Sequence, residues 1–405
     1  MEHSYPLILL TAGVLILGSL AASRFTGRFG VPSLLAILSV GLLFGNGEYG
    51  FNYNFPGPTL HFSEIALCII IFAGGFESNW KKVQPILGQG IALATLGVLI
   101  TMLIVGSITH WLLHWSWLEA LLLGAVVSST DAAAVFSILE SNNLKLKSGI
   151  REVLELESGT NDPMGFFLTI SLCGLLIATE QPPTLLTMTG DFLWTMSVGG
   201  ISGWAVGKTM LLFADRSELK PGQYPVVLLA WILILYAINA LMGGSAFLAV
   251  YVAGMVLGNS PWLQRAINLE FFRSLSWLME TSLFLILGLQ VYLFELDNVV
   301  WEALLIALLL IFVARPIGTF LSLAFFPKVT WQAKTFYAWV GLRGATPIVF
   351  ALIPVVRQVP DATKIFNIAF IIVIVSMLLQ GTTVAKVARW TRMKVVDKNG
   401  VKHTI

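Results

Sequence analysis

Residues 157–163, with the sequence Glu-Ser-Gly-Thr-Asn-Asp-Pro, hold the side chains with the clearest chemical potential in this chain. They open a segment, Met164 to Thr179, that is otherwise almost wholly apolar. Ionisable side chains are costly inside a membrane, so those that occur there are candidates for function. The carboxylate of Asp162 can hold a proton or a small cation, but not both, because either one neutralises the same charge. We therefore predict that a proton and a cation compete at Asp162.

The candidate ligands around Asp162 are oxygen atoms, which suit hard alkali cations. They are the Asp162 carboxylate, the hydroxyl of Ser158, and the hydroxyl or backbone carbonyl of Thr130. Asn161 does not titrate, and we expect its amide to hydrogen-bond to the segment that carries Thr130 and so to fix the shape of the site. On a helix, the pairs Glu157/Asn161 and Ser158/Asp162 are each four residues apart, so both polar stripes are expected to face one way.

Glu157 requires a separate explanation, because a second free carboxylate would bind a second proton. Arg315 lies in the apolar run Val-Ala-Arg-Pro at 313–316. A buried arginine is costly without a partner and is best matched by a carboxylate. We predict a structural ion pair between Glu157 and Arg315, which leaves Asp162 as the exchanging carboxylate.

The composition indicates the environment of these residues. The chain is 57% hydrophobic and 11% charged, with a mean hydropathy of +0.83, whereas soluble proteins are about 25% charged. Its long apolar runs predict a polytopic helical membrane protein. Both cysteines, Cys68 and Cys173, lie inside apolar runs, which argues against a disulfide or a cysteine-based metal site. The chain has no nucleotide-binding loop and no supported nucleophile–base arrangement, so we expect a transporter and not an enzyme.

The apolar runs divide into thirteen predicted membrane segments. They lie at about 6–23, 32–46, 60–76, 85–113, 117–140, 153–179, 189–213, 224–243, 245–259, 274–294, 300–326, 334–356 and 365–388. Nineteen of the 24 Lys and Arg residues fall in alternate loops and the C-terminal tail, and two fall in the opposite loops; three (Lys208, Arg315 and Arg343) lie inside segments. Because cytoplasmic loops are rich in Lys and Arg, we predict an outside N-terminus. A membrane domain over 1–392 is then followed by a short basic cytoplasmic tail, 393–405.

Two of the predicted segments are interrupted. The fifth contains Val-Ser-Ser-Thr-Asp-Ala at 127–132, whose polar side chains compete for backbone hydrogen bonds. The twelfth contains Gly-Leu-Arg-Gly-Ala-Thr-Pro at 341–347, where Pro347 removes a helix donor. Matching interruptions in two halves of a transporter point to its binding site. The two interrupted segments are seven segments apart. An odd offset means that the second copy crosses the membrane in the opposite direction, so we predict two inverted six-helix repeats joined by the seventh segment.

Asp131 and Arg343 lie on these two breaks. The ends of half-helices carry partial charges, positive at N-termini and negative at C-termini. We expect both side chains to neutralise such ends, with Asp131 also a candidate for contact with the ion. The alternative for each is that it only stabilises these helix dipoles and never contacts the transported ion. Glu280, in the tenth segment, is expected to line a cytoplasmic funnel that leads to Asp162.

Several of these motifs together resemble the monovalent cation:proton antiporters, in the NhaP-type and sodium/hydrogen exchanger branch. They are Thr-Asp at 130–131, the stretch 157–163, Ala-Arg-Pro at 314–316 and Gly-Leu-Arg-Gly at 341–344. The runs at 129–136 and 154–159 are similar to the potassium/proton subgroup that regulates cell volume. There are two departures from the family. Ala132 stands where the family often has Pro, and this sequence lacks the soluble regulatory domains usual in the subgroup, as in a short form or a membrane domain cut from a longer protein.

The resemblance implies an NhaA-like antiporter fold of thirteen helices in a homodimer. A mobile core of segments four to six and eleven to thirteen, about 85–179 and 300–388, would move past a dimerisation scaffold in an elevator-type cycle. Asp162 would exchange the ions, with a monovalent cation held there near Thr130, Ser158 and Asp131. The Asn161-Asp162 pair resembles the electroneutral branch, in which one cation is exchanged for one proton.

The prediction from the sequence is therefore an antiporter of the cell (inner) membrane that exchanges K⁺ or Na⁺ for H⁺ and serves pH homeostasis or cell-volume regulation. The alternatives are a cation channel or an ion-coupled solute symporter on a similar scaffold. A channel needs a continuous pore, and a symporter of organic anions needs a free positive charge at its site. We expect no cofactor and no nucleic acid, and the expected partners are a second copy of the chain and membrane lipid, including anionic lipid.

Overall fold

A computed structural model of the chain describes residues 10, 13–21, 32–46, 53–142, 144–178, 184–217, 219–262 and 265–394. Predicted features at other positions, among them Arg24 and Arg28 of the first basic loop and most of the basic tail, lie outside the described residues. The described part of the chain is helical, and its only β-type pairings are two isolated bridges.

The helices follow one another with short connections. In chain order they are α1 (13–21), α2 (Ser33–Phe44), α3 (Pro56–Glu77), α4 (Trp80–Val83), α5 (Leu87–Ala92), α6 (Val98–Leu113), α7 (Trp117–Val126), α8 (Ala132–Ser141), α9 (Ile150–Ile177), α10 (Leu185–Arg216), α11 (Tyr224–Met242), α12 (Ala246–Gly258), α13 (Arg265–Leu289), α14 (Leu293–Leu296), α15 (Val300–Leu309), α16 (Arg315–Ser322), α17 (Trp331–Trp339), α18 (Ala345–Val356), α19 (Ala362–Ser376) and α20 (Thr382–Trp390). Single π-helical turns join α5 to α6, α15 to α16 and α19 to α20, at Leu93–Gly97, Leu310–Ala314 and Met377–Gly381.

Seven helical runs in the described residues are long and apolar enough to cross a membrane. They are Pro56–Glu77, Trp80–Leu113, Ile150–Ile177, Pro221–Met242, Arg265–Leu289, Val300–Ser322 and Ala362–Trp390. Shorter apolar helices, α2, α7, α12 and α18, lie between them. With this many apolar spans the chain is a multi-pass membrane protein, as the composition predicted.

The fifth predicted segment is interrupted between α7 and α8. The Ser128 hydroxyl donates to the carbonyl of Ala125 at 2.7 Å, in competition with the helix. Residues 128–131 are not helical, and α8 begins at Ala132. Asp131 Oδ1 accepts the N–H groups of Ala133 and Ala134 at 2.9 and 3.2 Å, which caps α8. The break therefore forms with alanine where the related family often has proline.

The twelfth predicted segment is interrupted between α17 and α18, over residues 340–344. Pro347 lies just after this break, in the first turn of α18. At that position a proline removes no helical hydrogen bond, since the first N–H groups of a helix have no partner within it. Pro347 therefore belongs to the start of the second half-helix. The break itself lies before it, over residues 340–344, which include Gly341 and Gly344.

Most of the described helices fall into two groups. In the first, α2, α3 and α10–α13 pack closely through glycines. A Cβ atom at Gly75 or Gly254 would collide with the backbone of the facing helix, α12 or α3, and Gly41 and Gly288 meet in the same way between α2 and α13. Small residues allow this close approach of membrane helices. We call this set the glycine-packed group.

The second set contains both interrupted segments, and we call it the interrupted group: α5–α9 and α15–α20. Here α6 crosses α16 beside two of the π-helical turns, where Gly97 lies next to Ser322 and Gly318 next to Thr101. The two groups meet where α9 and α18 contact α3, α12 and α13. The polar residues of 157–163 lie at this junction.

Candidate functional site

Asp162 lies in the middle of α9, at the point where α9 passes the break between α7 and α8. Its side chain is 6% exposed. The hydroxyl of Ser129, in the break, donates to Asp162 Oδ1 and also lies 3.2 Å from Asn161 Oδ1. Among the described residues, no basic side chain lies within ion-pair distance of Asp162. In the described part of the chain, the carboxylate thus has a hydroxyl neighbour but no side chain that neutralises its charge.

Asn161 holds the non-helical residues of the break against α9. Its Nδ2 donates to Thr130 Oγ1 at 2.6 Å and to the Thr130 carbonyl at 3.3 Å, while its Oδ1 accepts from Ser129. The side chain is fully buried. Since both oxygens of Thr130 already accept from Asn161, they face the amide and not the space in front of Asp162.

A cavity of about 400 Å³ separates the two helix groups and ends at Asp162. Three carboxylates line its inner part, those of Asp131, Asp162 and Glu280, together with the hydroxyls of Ser158 and Thr346. Thr346, in the first turn of α18, lines the same cavity as Asp162. These oxygens form the kind of ligand set that binds alkali cations.

The outer part of this cavity carries ion pairs on both helix groups. Arg273 Nε lies 2.6 Å from Glu77 Oε1 in the glycine-packed group, and Arg151 Nε lies 2.6 Å from Glu155 Oε1 on α9. Because Arg151 is in the first turn of α9, the cavity opens at the end of the molecule where the basic loops lie. The excess of negative charge in the cavity is therefore at its inner end.

The two breaks contact each other beside this cavity. The N–H of Asp131 donates to the carbonyl of Leu342 at 2.8 Å. Ser158 Oγ accepts the N–H of Ala132 at 3.2 Å, so Ser158 and Asp131 together satisfy the N-terminus of α8. The positive end of a half-helix thus points toward the carboxylates, as helix N-termini do at anion-binding sites.

Glu157 and Arg315 lie on the opposite side of α9 from the cavity. Arg315 Nη2 is 2.6 Å from Glu157 Oε1, and it also donates to the carbonyl of Tyr337 at 3.2 Å. Glu157 is 1% exposed and Arg315 2%. Gly341 of the second break leaves room for the guanidinium, since a Cβ at that position would strike Arg315 Nε. The pair thus fills the space between α9 and the second break.

Arg343 is buried at the C-terminal end of α17, with 1% of its surface exposed. Its Nη1 donates to the carbonyl of Gly341 at 3.2 Å, and its backbone N–H donates to Ser376 Oγ at 2.9 Å. Gln380, in the last π-helical turn, donates to the carbonyl of Trp339 at 2.7 Å. Together they supply donors and positive charge to the carbonyl end of this half-helix.

The structure divides the sequence-predicted site residues into two sets. Asp162, Ser158 and Asp131 line the cavity, whereas Asn161 and Thr130 lie behind it and bond to each other. The two polar stripes of α9 therefore face different surroundings, and not one shared space. One faces the cavity, and the other faces Arg315 and the first break.

Two further residues at the site were not identified from the sequence, Ser129 and Thr346. Ser129 belongs to the polar run of the first break, and Thr346 lies two residues after Gly344, the last residue of the second break. Their positions beside Thr130 and after Gly344 were the available signals. These positions alone do not predict which of several neighbouring hydroxyls lies next to Asp162.

Comparison with known proteins gives consistent matches. The family described as sodium/hydrogen exchanger, transmembrane, matches residues 12–390. The chain is 39% identical over 402 residues to the K(+)/H(+) antiporter NhaP of Alkalimonas amylolytica, an alignment that covers 98% of this chain and 69% of that protein. It is 35% identical over 390 residues to the K(+)/H(+) antiporter NhaP2 of Shewanella baltica (strain OS223), covering 96% of this chain and 67% of that one.

A solved structure has the same fold. The sodium proton antiporter MjNhaP1 from Methanocaldococcus jannaschii at pH 8 matches with a TM-score of 0.82 and 22% sequence identity, over 96% of this chain and 99% of that chain. The resemblance inferred from the motifs is thereby confirmed. Because the family match extends over nearly the whole sequence, the chain belongs to the transmembrane sodium/hydrogen exchanger family.

Proposed function

We propose that this protein exchanges a monovalent cation for a proton at Asp162. The observation that carries the proposal is a buried carboxylate at the inner end of a cavity, with hydroxyl ligands and no basic partner among the described residues. A buried charge must be neutralised. A proton and a cation can each do so, and occupancy by one excludes the other, which is the requirement for exchange.

We propose K⁺ as the physiological cation. The relatives at 35–39% identity are named K(+)/H(+) antiporters. The Na(+)/H(+) antiporter 1 of Methanocaldococcus jannaschii is 27% identical over 373 residues, so Na⁺ is the second cation to measure. Potassium exchange would suit a role in pH homeostasis and cell-volume regulation.

The exchange is proposed to be electroneutral, with one cation for one proton. Support comes from the surroundings of the other buried carboxylates near Asp162. Glu157 lies 2.6 Å from Arg315, and Asp131 accepts two N–H groups at the start of α8. Both side chains therefore have fixed partners. Of the two remaining carboxylates of the inner cavity, Glu280 lies on α13 in the glycine-packed group and Asp162 on α9 in the interrupted group. We propose that Asp162 alone moves with the ion and carries one positive charge in each direction.

We further propose thirteen membrane segments, arranged as two inverted six-helix repeats about the seventh. In support, the interrupted pairs α7/α8 and α17/α18 are seven segments apart. The fourth and eleventh segments, also seven apart, each contain a π-helical turn, at Leu93–Gly97 and Leu310–Ala314. In this arrangement the N-terminus is outside, and the C-terminal tail faces the cytoplasm of the cell with its anionic inner leaflet.

The proposed cycle is an elevator movement of the interrupted group against the glycine-packed group, the latter forming a homodimer. Support comes from the placement of the site at the junction of the two groups, where a shift of one could expose Asp162 to either side. The close glycine packing within α2, α3 and α10–α13 suits a rigid scaffold.

A proteoliposome assay tests the proposed exchange. An outward K⁺ gradient is imposed, and internal pH is followed with the membrane potential either free or collapsed. As K⁺ leaves the vesicles, we expect protons to enter and the internal pH to fall, at a rate that does not depend on the membrane potential. We expect the Asp162→Asn variant to lose this exchange. The matched control is Asp297→Asn, at an exposed aspartate in a turn, which is expected to retain wild-type exchange.

The same assay contains the outcomes that contradict the proposal. Cation flux without proton movement would indicate a channel, and exchange that survives in Asp162→Asn would place the titrating group elsewhere. If exchange depends on the membrane potential, the one-for-one stoichiometry is excluded, but cation/proton exchange at Asp162 is not. Repeating the assay with Na⁺ and Li⁺ measures the ion preference.

A further inference from the structure

The half-helix α8 depends on its surroundings for its position. It follows a break, so no continuous ladder of backbone hydrogen bonds ties it to α7. The other half-helix that follows a break, α18, is buried from Ala345 to Pro354, whereas α8 exposes Ala133 and Ser137 on the side that faces the cavity. Packing therefore fixes α8 from one side only.

The N-terminus of α8 lies at the site. The N–H of Ala132 donates to Ser158 Oγ at 3.2 Å, and Ser158 lines the cavity together with Asp162. The C-terminus of α8, at Ser141, is about 14 Å from this point along the helix axis. The contacts that hold this C-terminus therefore help to determine where the N-terminus of α8 meets Ser158.

The loop after α8 is paired with the residues that follow α20. The N–H of Lys147 donates to the carbonyl of Met393 at 2.9 Å, and Leu146 and Lys394 form an antiparallel bridge. This loop leads directly into α9, which carries Asp162. Residues 393–394 are thus joined to the connection between the two helices that shape the site.

Helices α8 and α20 end with the same hydrogen bond. At the end of α8, the N–H of Leu144 donates to the carbonyl of Leu139 at 2.9 Å. At the end of α20, the N–H of Met393 donates to the carbonyl of Ala388, also at 2.9 Å. A bond of this span belongs to the Schellman motif, and Arg392 has the left-handed backbone conformation of that motif, with a φ of 61°. The two chains leave their helices by the same kind of turn and meet at the bridge.

Leu144 and Met393 anchor this pairing. They are 6% and 7% exposed and belong to a small apolar cluster that also contains Val135 of α8, Val153 of α9 and Ala388 of α20. So short a backbone pairing is not stable alone, and apolar side chains removed from water supply the missing stability. We call the residues of this pairing the clamp: Leu144, Leu146, Lys147, Met393 and Lys394.

We propose that the clamp positions α8 and thereby sets the affinity of the site for the cation, with Met393 as a positioning residue that acts through α8 on Ser158. This inference rests on the proposed function. If the C-terminus of α8 shifts, the N–H of Ala132 moves away from Ser158 Oγ, and this hydroxyl loses the contact that orients it in the cavity. The clamp connects helices of the interrupted group only, so it stays closed while that group moves.

Exchange kinetics in proteoliposomes test the clamp. We expect Met393→Ala to raise the KM for K⁺ roughly threefold or more with kcat close to wild type, because a displaced helix weakens binding of the ion without removing a group that contacts it. The control is Met210→Ala, because Met210 is also buried but lies on α10 in the glycine-packed group. It removes the same side chain and is expected to leave the KM unchanged.

A disulfide across the clamp distinguishes positioning from a general loss of stability. Leu146→Cys and Lys394→Cys, in a background where alanine replaces Cys68 and Cys173, place two thiols on opposed antiparallel residues. The Cα atoms of such residues are about 4.5–5.5 Å apart, which suits a disulfide. In the Met393→Ala protein we expect oxidation to return the KM to that of the background, and reduction to raise it again. Met393→Val, a smaller truncation, is used if the alanine variant does not fold, and the same reversal is expected.

An unchanged KM in the folded Met393 variant, an equal rise in Met210→Ala, or a KM that oxidation does not restore would overturn the inference. These results are distinguishable from failure of the proposed function. In that case the wild-type protein shows no cation/proton exchange, whereas here it exchanges normally and only the clamp variants behave otherwise than expected.

Discussion

At the scale of single residues, the site contains carboxylates with two different roles: one is proposed to bind the transported ions, and another stabilises the structure. Asp162 faces the cavity, whereas Glu157, five residues earlier on the same helix, contacts Arg315 on the buried side. The difference in role follows from helix periodicity, which turns these two carboxylates to different faces. One carboxylate remains accessible to water, and the other is matched within the protein.

The Glu157–Arg315 pair supplies a prediction about stability. Arg315→Ala leaves a buried carboxylate unmatched, which costs about 3–5 kcal/mol. We expect a lower thermal unfolding temperature of the solubilised protein and little or no transport. The double variant Glu157→Leu with Arg315→Leu removes both charges and is expected to recover much of that stability. Wild-type-like transport by Arg315→Ala would show that the pair is dispensable.

At the scale of elements, the breaks in the fifth and twelfth segments are held by side chains from outside them. Asn161 on α9 binds Thr130 of the first break, and Ser376 and Gln380 on the last helical run bind the second. Each break exposes backbone groups that a continuous helix would satisfy, and burial without partners would be unfavourable. The helices beside the breaks therefore determine their shape.

Replacement of Asn161 tests this dependence. Asn161→Ala leaves the Thr130 carbonyl without its amide donor and Ser129 without one acceptor, at a cost of about 1–3 kcal/mol. We expect reduced thermal stability and a higher KM for the cation, since Ser129 also contacts Asp162. Asn298→Ala, at an exposed turn, is the control. An unchanged KM would mean that the break keeps its shape without the amide.

At the scale of the whole molecule, function depends on the surface between the two helix groups. Gly159, one turn before Asp162, faces the ring of Tyr251 on α12. A Cβ at Gly159 would overlap this ring. The absence of a side chain thus lets α9 lie close to the glycine-packed group at the position where the proposed movement takes place.

This close contact predicts that a methyl group added at Gly159 slows exchange, whereas one added elsewhere on α9 does not. Gly159→Ala should cost about 1–3 kcal/mol through overpacking and slow exchange, because the two groups can no longer approach fully. Gly174→Ala, on the same helix, meets no atom within 4 Å and is expected to behave as wild type. Proteoliposome exchange rates of the two variants provide the comparison. Equal rates would show that the Gly159–Tyr251 contact does not limit the movement.

The amino-acid sequence by itself determined the class of protein and the location of its polar centre. Long apolar runs predicted a multi-pass helical membrane protein, and the motifs around Asp162 identified its family; both conclusions are confirmed. These features are local, because hydropathy over about 20 residues and a polar cluster within an apolar run are properties of neighbouring positions.

Only the tertiary structure decided which side chains meet at Asp162 and what lies beyond it. Thr130 turns to Asn161, Ser129 turns to Asp162, and Thr346 lines the same cavity. Beyond them, on the other side of α9, lies the Glu157–Arg315 pair. The physical reason is that the face a side chain presents depends on helices distant in sequence that pack against it. Polarity along the chain indicates that a residue needs partners, and packing selects the partners.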